Sequence, residues 1–234
     1  MLDIADLAQR REAAEAAAEG AVLFHAFGNV HAPAARLDCA LDRMNGVTTT
    51  PERGKHVFDW DAVRLPWGAL VAVMSDLQTL GPIGFRGPAA ASIPAHLTRS
   101  GTVQLLSPGD ACPSNALVAD VLDLCGEELL ATDVELRRPD RDDVVLIGHR
   151  NERAVRRRYP HHLPCAPSIV AFDGGELVLE RHGSLDSATI ERIADRHGLV
   201  LRIAPTGCVP VRRRRRFSSA GSAPRRLARA AVSP

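Results

Sequence analysis

Two kinds of hydrophobic pattern share this chain. Short apolar runs read as strands at Ala21 to Phe24, Ala69 to Met74, Thr102 to Leu106, Leu129 to Thr132, Asp143 to Ile147 and Leu199 to Ile203. The run at 69 to 74 is continuous, as in a strand buried on both faces. Ser168 to Phe172, the turn Asp173-Gly174-Gly175 and the alternating stretch Glu176 to Arg181 predict a β-hairpin, since glycine supplies the positive φ of a tight reversal. Apolar residues three and four apart mark helices instead. One covers 3 to 18, with Ile4, Leu7 and Ala8 on one side and Gly20 as its stop. A second covers 34 to 44 through Leu37, Ala40, Leu41 and Met44, and Asn45-Gly46 breaks it. A third starts at Ser114 as N-cap, turns Leu117, Val118, Val121 and Leu122 inward, and closes at Gly126. The last runs from Asp186 to His197, with Ile190, Ile193 and Ala194 inward and Gly198 as its end. Gly81 to Pro94 is rich in Gly, Pro and Ala and reads as irregular.

Strands and helices mix without a strict βαβ repeat. The fold class expected is α/β with α+β-like character: one domain with a twisted mixed β-sheet and helices packed on it. The domain spans 1–209, and residues 210–234 form an arginine-rich tail. That tail has too few large apolar side chains to offset its ordering entropy, so it is expected to be disordered. No apolar run reaches the ~20 residues of a membrane span, so no membrane association is expected. The acidic, alanine-rich start is no secretory signal. Five scattered cysteines form no C-x-x-C pair. A reducing, cytoplasmic setting follows.

The hairpin and the helix behind it resemble the last part of the YrdC-like domain, the fold of threonylcarbamoyl-AMP synthases. In that family the pattern is S-T-V-V-D, a glycine-containing turn, then L-R-P-G-A-I. Here it is Ser168-Ile169-Val170-Ala171-Phe172, then Leu179-Glu180-Arg181-His182-Gly183-Ser184-Leu185. Other segments fall in the family's order. Gly20 to His31 stands where the family has a strand and P-T-D-T-x-Y-G. Thr102 to Pro108 is similar to the strand ending R-V-P. The helix from 114 and Gly126 to Thr132 resemble a helix and G-x-P-L-A-A-T-S-A-N. The resemblance covers roughly 18 to 204. It implies a single YrdC-like domain, ATP and Mg as ligands, and a reaction of threonine, bicarbonate and ATP that serves tRNA modification.

The chain departs from the family at the positions that hold those ligands. Ala26, Phe27 and Gly28 replace T-D-T, and Asn45, Gly46 and Val47 replace K-x-R. Leu106 stands for the arginine of R-V-P, and Thr132, Asp133 and Val134 for S-A-N. Phosphoryl chemistry needs positive charge at the transferring group, which valine and leucine do not supply. Ser168, Arg181 and Gly183 are kept, and Arg43, Arg53 and Lys55 flank the lost K-x-R. The expectation is therefore a divergent member binding a nucleotide or RNA in a concave pocket, through Ser168, Arg181, His25, Thr132, Arg53 and Lys55. An active synthase-like nucleotidyltransferase and a non-catalytic interaction module are the alternatives. Arg181 either forks onto a phosphate or carboxylate or is a surface arginine. Ser168 either bonds a nucleotide or satisfies nearby backbone.

Charge adds a second theme. Residues 211–234 hold eight arginines and no acid, so the net +1 of the chain leaves −7 on the other 210 residues. Arg212, Arg213, Arg214, Arg215 and Arg216 form an array that suits RNA phosphates or an acidic protein partner. Arg150, Arg153, Arg156, Arg157 and Arg158 make a second basic cluster. Lys55 is the only lysine, so amine nucleophile chemistry is nearly excluded. His161, His162 and Cys165, with His149 upstream, fit no zinc spacing, and no metal site is predicted.

Overall fold

The computed structural model describes residues 1–204 apart from 29, 43, 111, 135–137, 151–165 and 173. The expected tail, the arginines from 153 to 158, and His161, His162 and Cys165 lie outside the described residues. The hairpin is as predicted. Strand β10 (Ile169–Ala171) pairs antiparallel with β11 (Leu177–Arg181), with Gly175 at φ 78° in the turn. Around it the described strands are β1 (Leu2–Asp3), β2 (Val22–Phe27), β3 (Val30–Ala35), β4 (Gly46–Thr48), β5 (Ile83–Pro88), β6 (Thr98–Arg99), β7 (Thr102–Ser107), β8 (Leu130–Thr132), β9 (Val144–Gly148) and β12 (Leu201–Ile203). Together they form one mixed sheet in the order β1-β9-β2-β3-β8-β4-β7-β5-β10-β11-β12, with β6 on β7.

Alternation along each strand sends neighbouring side chains to opposite faces. On one face Leu23, Ala34, Leu130 and Ile147 pack against α1 (Leu7–Ala18) and α3 (Pro113–Cys125). On the other, Val47, Phe85, Leu105, Ala131 and Leu179 pack against α2 (Trp67–Leu80) and α4 (Ser187–Arg196). Helix α1 begins with Asp6, whose carboxylate accepts the Ala8 and Gln9 amides. It buries Ala13, Ala14 and Ala17, while Leu7 is exposed. Small side chains let α1 and α3 approach closely. Helix α4 has the expected Asp186 cap and buried face. Helix α3 ends at Gly126, which adopts the left-handed conformation.

Four sequence-based expectations need correction. The helix placed at 34 to 44 is the end of β3 followed by a 3-10 turn, Leu37–Cys39. Its apolar residues still face the core, but β3 is claimed by β2 on one side and β8 on the other. The strand placed at 69 to 74 is inside α2. There Leu70, Val73, Met74 and Leu77 are the buried set, with the helical spacing that a six-residue window conceals. The irregular stretch 81 to 94 contains β5, a central strand. Its glycines are packing residues: a Cβ on Gly84 would meet Ile169 at 2.9 Å, and one on Gly87 would enter the Phe172 ring. The N-cap of α3 is Cys112, not Ser114, whose hydroxyl donates to the Ala26 carbonyl.

Candidate functional site

The segment entering β10 and the loop leaving β11 lie side by side, and Ser168 joins them. It is fully buried, and its hydroxyl donates to the Leu185 carbonyl at 2.7 Å. The same oxygen accepts the amides of Gly183 at 3.1 Å and Leu185 at 3.2 Å. Ser184 N–H adds a bond to the Ala166 carbonyl at 2.8 Å. Gly183 has no room for a Cβ, which would collide with the backbone at Ala166, Pro167 and Ser168. Arg181 is 8% exposed, and its Nε donates to the Pro167 carbonyl at 3.0 Å. The S…R-x-G pattern therefore closes this corner of the fold through its own backbone bonds.

The positions that the resemblance assigns to polar ligand-binding residues carry a small apolar cluster. Phe27, Val30, Ala32, Leu106, Val134 and Ala166 pack on one another, each no more than 7% exposed. Phe27 ends β2, Val30 and Ala32 lie on β3, Leu106 is at the end of β7, Val134 follows β8, and Ala166 precedes β10. Phe27, Leu106 and Val134 stand at one position each of T-D-T, R-V-P and S-A-N. Of the K-x-R positions, Asn45 is exposed and uncharged, and the other two are closed. Val47 points into the α2 face, and a Cβ on Gly46 would sit 2.9 Å from the Gln104 carbonyl oxygen. These residues do not fit a triphosphate and its metal.

The remaining candidates are scattered. Thr132 is fully buried and donates to the Pro33 carbonyl at 2.6 Å. Thr48 does the same to the Leu106 carbonyl at 2.7 Å. His25 is fully buried beside Phe27, edge to face with centroids 5.9 Å apart. Neither ring nitrogen has a hydrogen-bond partner. Burial, and secondarily His31, push its pKa down to about 4, so the ring is neutral at pH 7. Arg53 is drawn toward α3 by Asp123 at 2.6 Å and by the Glu127 carbonyl at 3.4 Å. Arg212 to Arg216 lie outside the described residues. Among the described residues no three His, Cys, Asp or Glu side chains gather as metal ligands. No described helix is long and apolar enough to cross a membrane.

Lys55 borders a cavity. It has a volume of about 340 Å³ and lies between the turn Gly54–Val57, α2, β7 and the loop after β7. Leu105 lines it, and Leu106, one residue on, belongs to the apolar cluster. The cavity and the cluster are thus on opposite faces of the sheet. Glu52, Trp60, Gln78 and Asp110 also line the cavity. Sequence reasoning misses all four, because three lie in connecting segments and Gln78 is on the helix whose apolar run reads as a strand.

No protein-family model matches this sequence, and no curated protein matches it. Solved structures do. Two structures of P. abyssi Sua5 superpose: a double alanine variant at TM-score 0.62, and the protein complexed with L-threonine at 0.61. Both are 15% identical, covering 87% and 86% of this chain and 65% and 60% of theirs. E. coli YciO superposes at TM-score 0.53 and 14% identity, over 77% of this chain and 92% of its own. The chain thus spans less than two thirds of the two Sua5 chains. Its described part has the YrdC-like fold.

Proposed function

We propose that this chain is a non-catalytic YrdC-like protein that serves RNA modification by binding RNA, not by forming threonylcarbamoyl-AMP. One observation carries the reading: an apolar cluster occupies three positions where the family's synthases present a carboxylate, a guanidinium and an amide to their ligands. An adenylate-forming site stabilises developing phosphate charge with cations and metal. Phe27, Leu106 and Val134 offer none of these groups. Ser168, which the family keeps, spends its hydroxyl on Leu185 and Gly183. RNA then falls to the arginine-rich segment. Arg212 to Arg216 supply a dense positive array that releases counterions on contact with phosphates. The −7 on the rest of the chain favours a mode in which the array, not the sheet, meets the RNA.

Two measurements test this. Pyrophosphate release from ATP in the presence of threonine and bicarbonate is expected to stay at background, and release that depends on both co-substrates overturns the reading. Fluorescence anisotropy with a single-stranded RNA is expected to give a slope of log affinity against log salt of about −3.5, for about five neutralised phosphates. Truncation after Pro210 should flatten that slope. Equal affinity and slope for the full and truncated chains removes RNA from the reading.

A further inference from the structure

The cavity on the α2 face has a mixed lining. Its apolar part includes Met74 on α2, Leu105 on β7 and the ring of Trp60. Trp60 is held in place: its ring is parallel to that of Phe172 within 3°, and its indole N–H donates to the Lys55 carbonyl at 2.6 Å. Two carboxylates, Glu52 and Asp110, also line it. Asp110 is held by a chain of hydrogen bonds. Gln78 Nε2 donates to Ser107 Oγ at 2.8 Å, and that oxygen accepts the Gly109 amide at 3.4 Å. The Asp110 amide then donates back to the Gln78 carbonyl at 3.2 Å. Gly109 is required in this loop: its φ is 82°, and a Cβ would lie 2.6 Å from the Gly81 backbone. The loop is therefore seated on the end of α2, which fixes the backbone that carries the aspartate.

The charges do not cancel. The nearby Arg53 is committed to Asp123 and Glu127 on the α3 side. Lys55 is the one cation among the described residues that line the cavity, against two carboxylates. Burial, and then Glu52, raise the Asp110 carboxyl above its ordinary value, and no cation pulls it back. Two neighbouring carboxylates and an oriented indole thus line one partly enclosed space.

We infer that this cavity binds a small organic monocation, a primary ammonium or guanidinium carried on an apolar or aromatic body. The cation would sit between Glu52 and Asp110, where each charge-assisted hydrogen bond is stronger than a neutral one. The body would lie on Trp60, Met74 and Leu105, adding cation–π attraction and apolar burial. Lys55 leaves the site one negative charge in excess, which a monocation neutralises. The volume of about 340 Å³ is at the small end of ligand pockets. This site is on the opposite face of the sheet from the apolar cluster, so it stands or falls independently of the RNA reading.

Isothermal titration of the full chain with 2-phenylethylamine, 2-phenylethanol and phenylacetate tests the inference. The amine is expected to bind at least tenfold tighter than the alcohol, and phenylacetate not to bind. Glu52→Gln and Asp110→Asn change exposed side chains and should leave the melting curve unchanged. Each should weaken the amine about tenfold and leave the alcohol alone. If Asp110→Asn disturbs its loop, Glu52→Gln alone still decides the matter, since among the described residues no hydrogen bond of the Glu52 side chain holds the fold. Amine and alcohol binding with equal affinity, no binding of the amine, or unchanged amine affinity in Glu52→Gln would each overturn it.

Discussion

Lowering the pH toward 4 should destabilise this protein, in part through one fully buried side chain. His25 sits in β2 opposite Ala32 of β3 and Ile147 of β9, with no exposed surface and no hydrogen-bond partner for either ring nitrogen. Its pKa falls from 6.5 to about 4 because burial disfavours the imidazolium. The unfolded chain therefore binds a proton more readily than the folded one. Stability is complete above the unfolded value near 6.5 and is lost as pH falls through the window toward 4. The full cost, reached below pH ~4, is about 3 kcal/mol, since each tenfold change in proton affinity is worth roughly 1.4 kcal/mol. At pH ~4.5 the linkage relation already gives most of it. Urea unfolding of the parent and of His25→Leu, at pH ~7 and ~4.5, isolates the effect, because every other titrating group, including His31, is common to both. The parent should lose roughly 2–3 kcal/mol more than the variant between the two pH values. Equal losses in the two proteins would mean that His25 is hydrated or partnered in solution, and would refute the argument.

Three further substitutions probe the corners of the fold. Ser168→Ala leaves the Gly183 and Leu185 amides and the Leu185 carbonyl without their shared partner, and should cost at least about 3 kcal/mol by chemical denaturation, at ~1–3 kcal/mol for each of the stranded groups. Gly87→Ala drives a methyl into the Phe172 ring and should cost about 1–3 kcal/mol in the same assay, as overpacking does. Leu106→Arg puts the family's guanidinium back among Phe27, Ala32 and Val134; an unpaired buried charge there should cost several kcal/mol, and pyrophosphate release should stay at background.

Legibility in the sequence follows how local each signal is. The hairpin at 168 to 181, the α4 cap at Asp186 and the glycine stop of α3 are decided by neighbouring residues, and each stands where the sequence puts it. Segment 69 to 74 is ambiguous because a short all-apolar run has no period; only Leu77, further on, reveals the helix. Strand β5 is hidden because Gly84 and Gly87 read as loop residues until Ile169, Leu106 and Phe172 are seen packed over them. The site behaves similarly. The loss of charge at Val47 and Leu106 is visible residue by residue. That Phe27, Leu106 and Val134 meet one another is not, since they are brought together by strands far apart in sequence. Lys55 stands out as the lone lysine, but Glu52, Trp60 and Asp110 have no signature until the cavity groups them.

The two packed faces of the sheet also differ in how much of the chain each must wait for. The layer under α1 and α3 draws its buried residues from Ile4 to Ile147, whereas the layer under α2 and α4 draws them from Val22 to Leu201. On a ribosome, which releases the chain from its N-terminus at a few residues per second, the first layer has all its parts while the second still lacks Ile190, Ile193, Leu199 and Leu201. A nascent chain halted before residue 186 would carry Leu70, Val73, Leu77 and Phe85 on a face with one of its two helices missing. Premature termination shortly before residue 186 would therefore yield a half-clad sheet, sticky on one side, and work for chaperones and proteases.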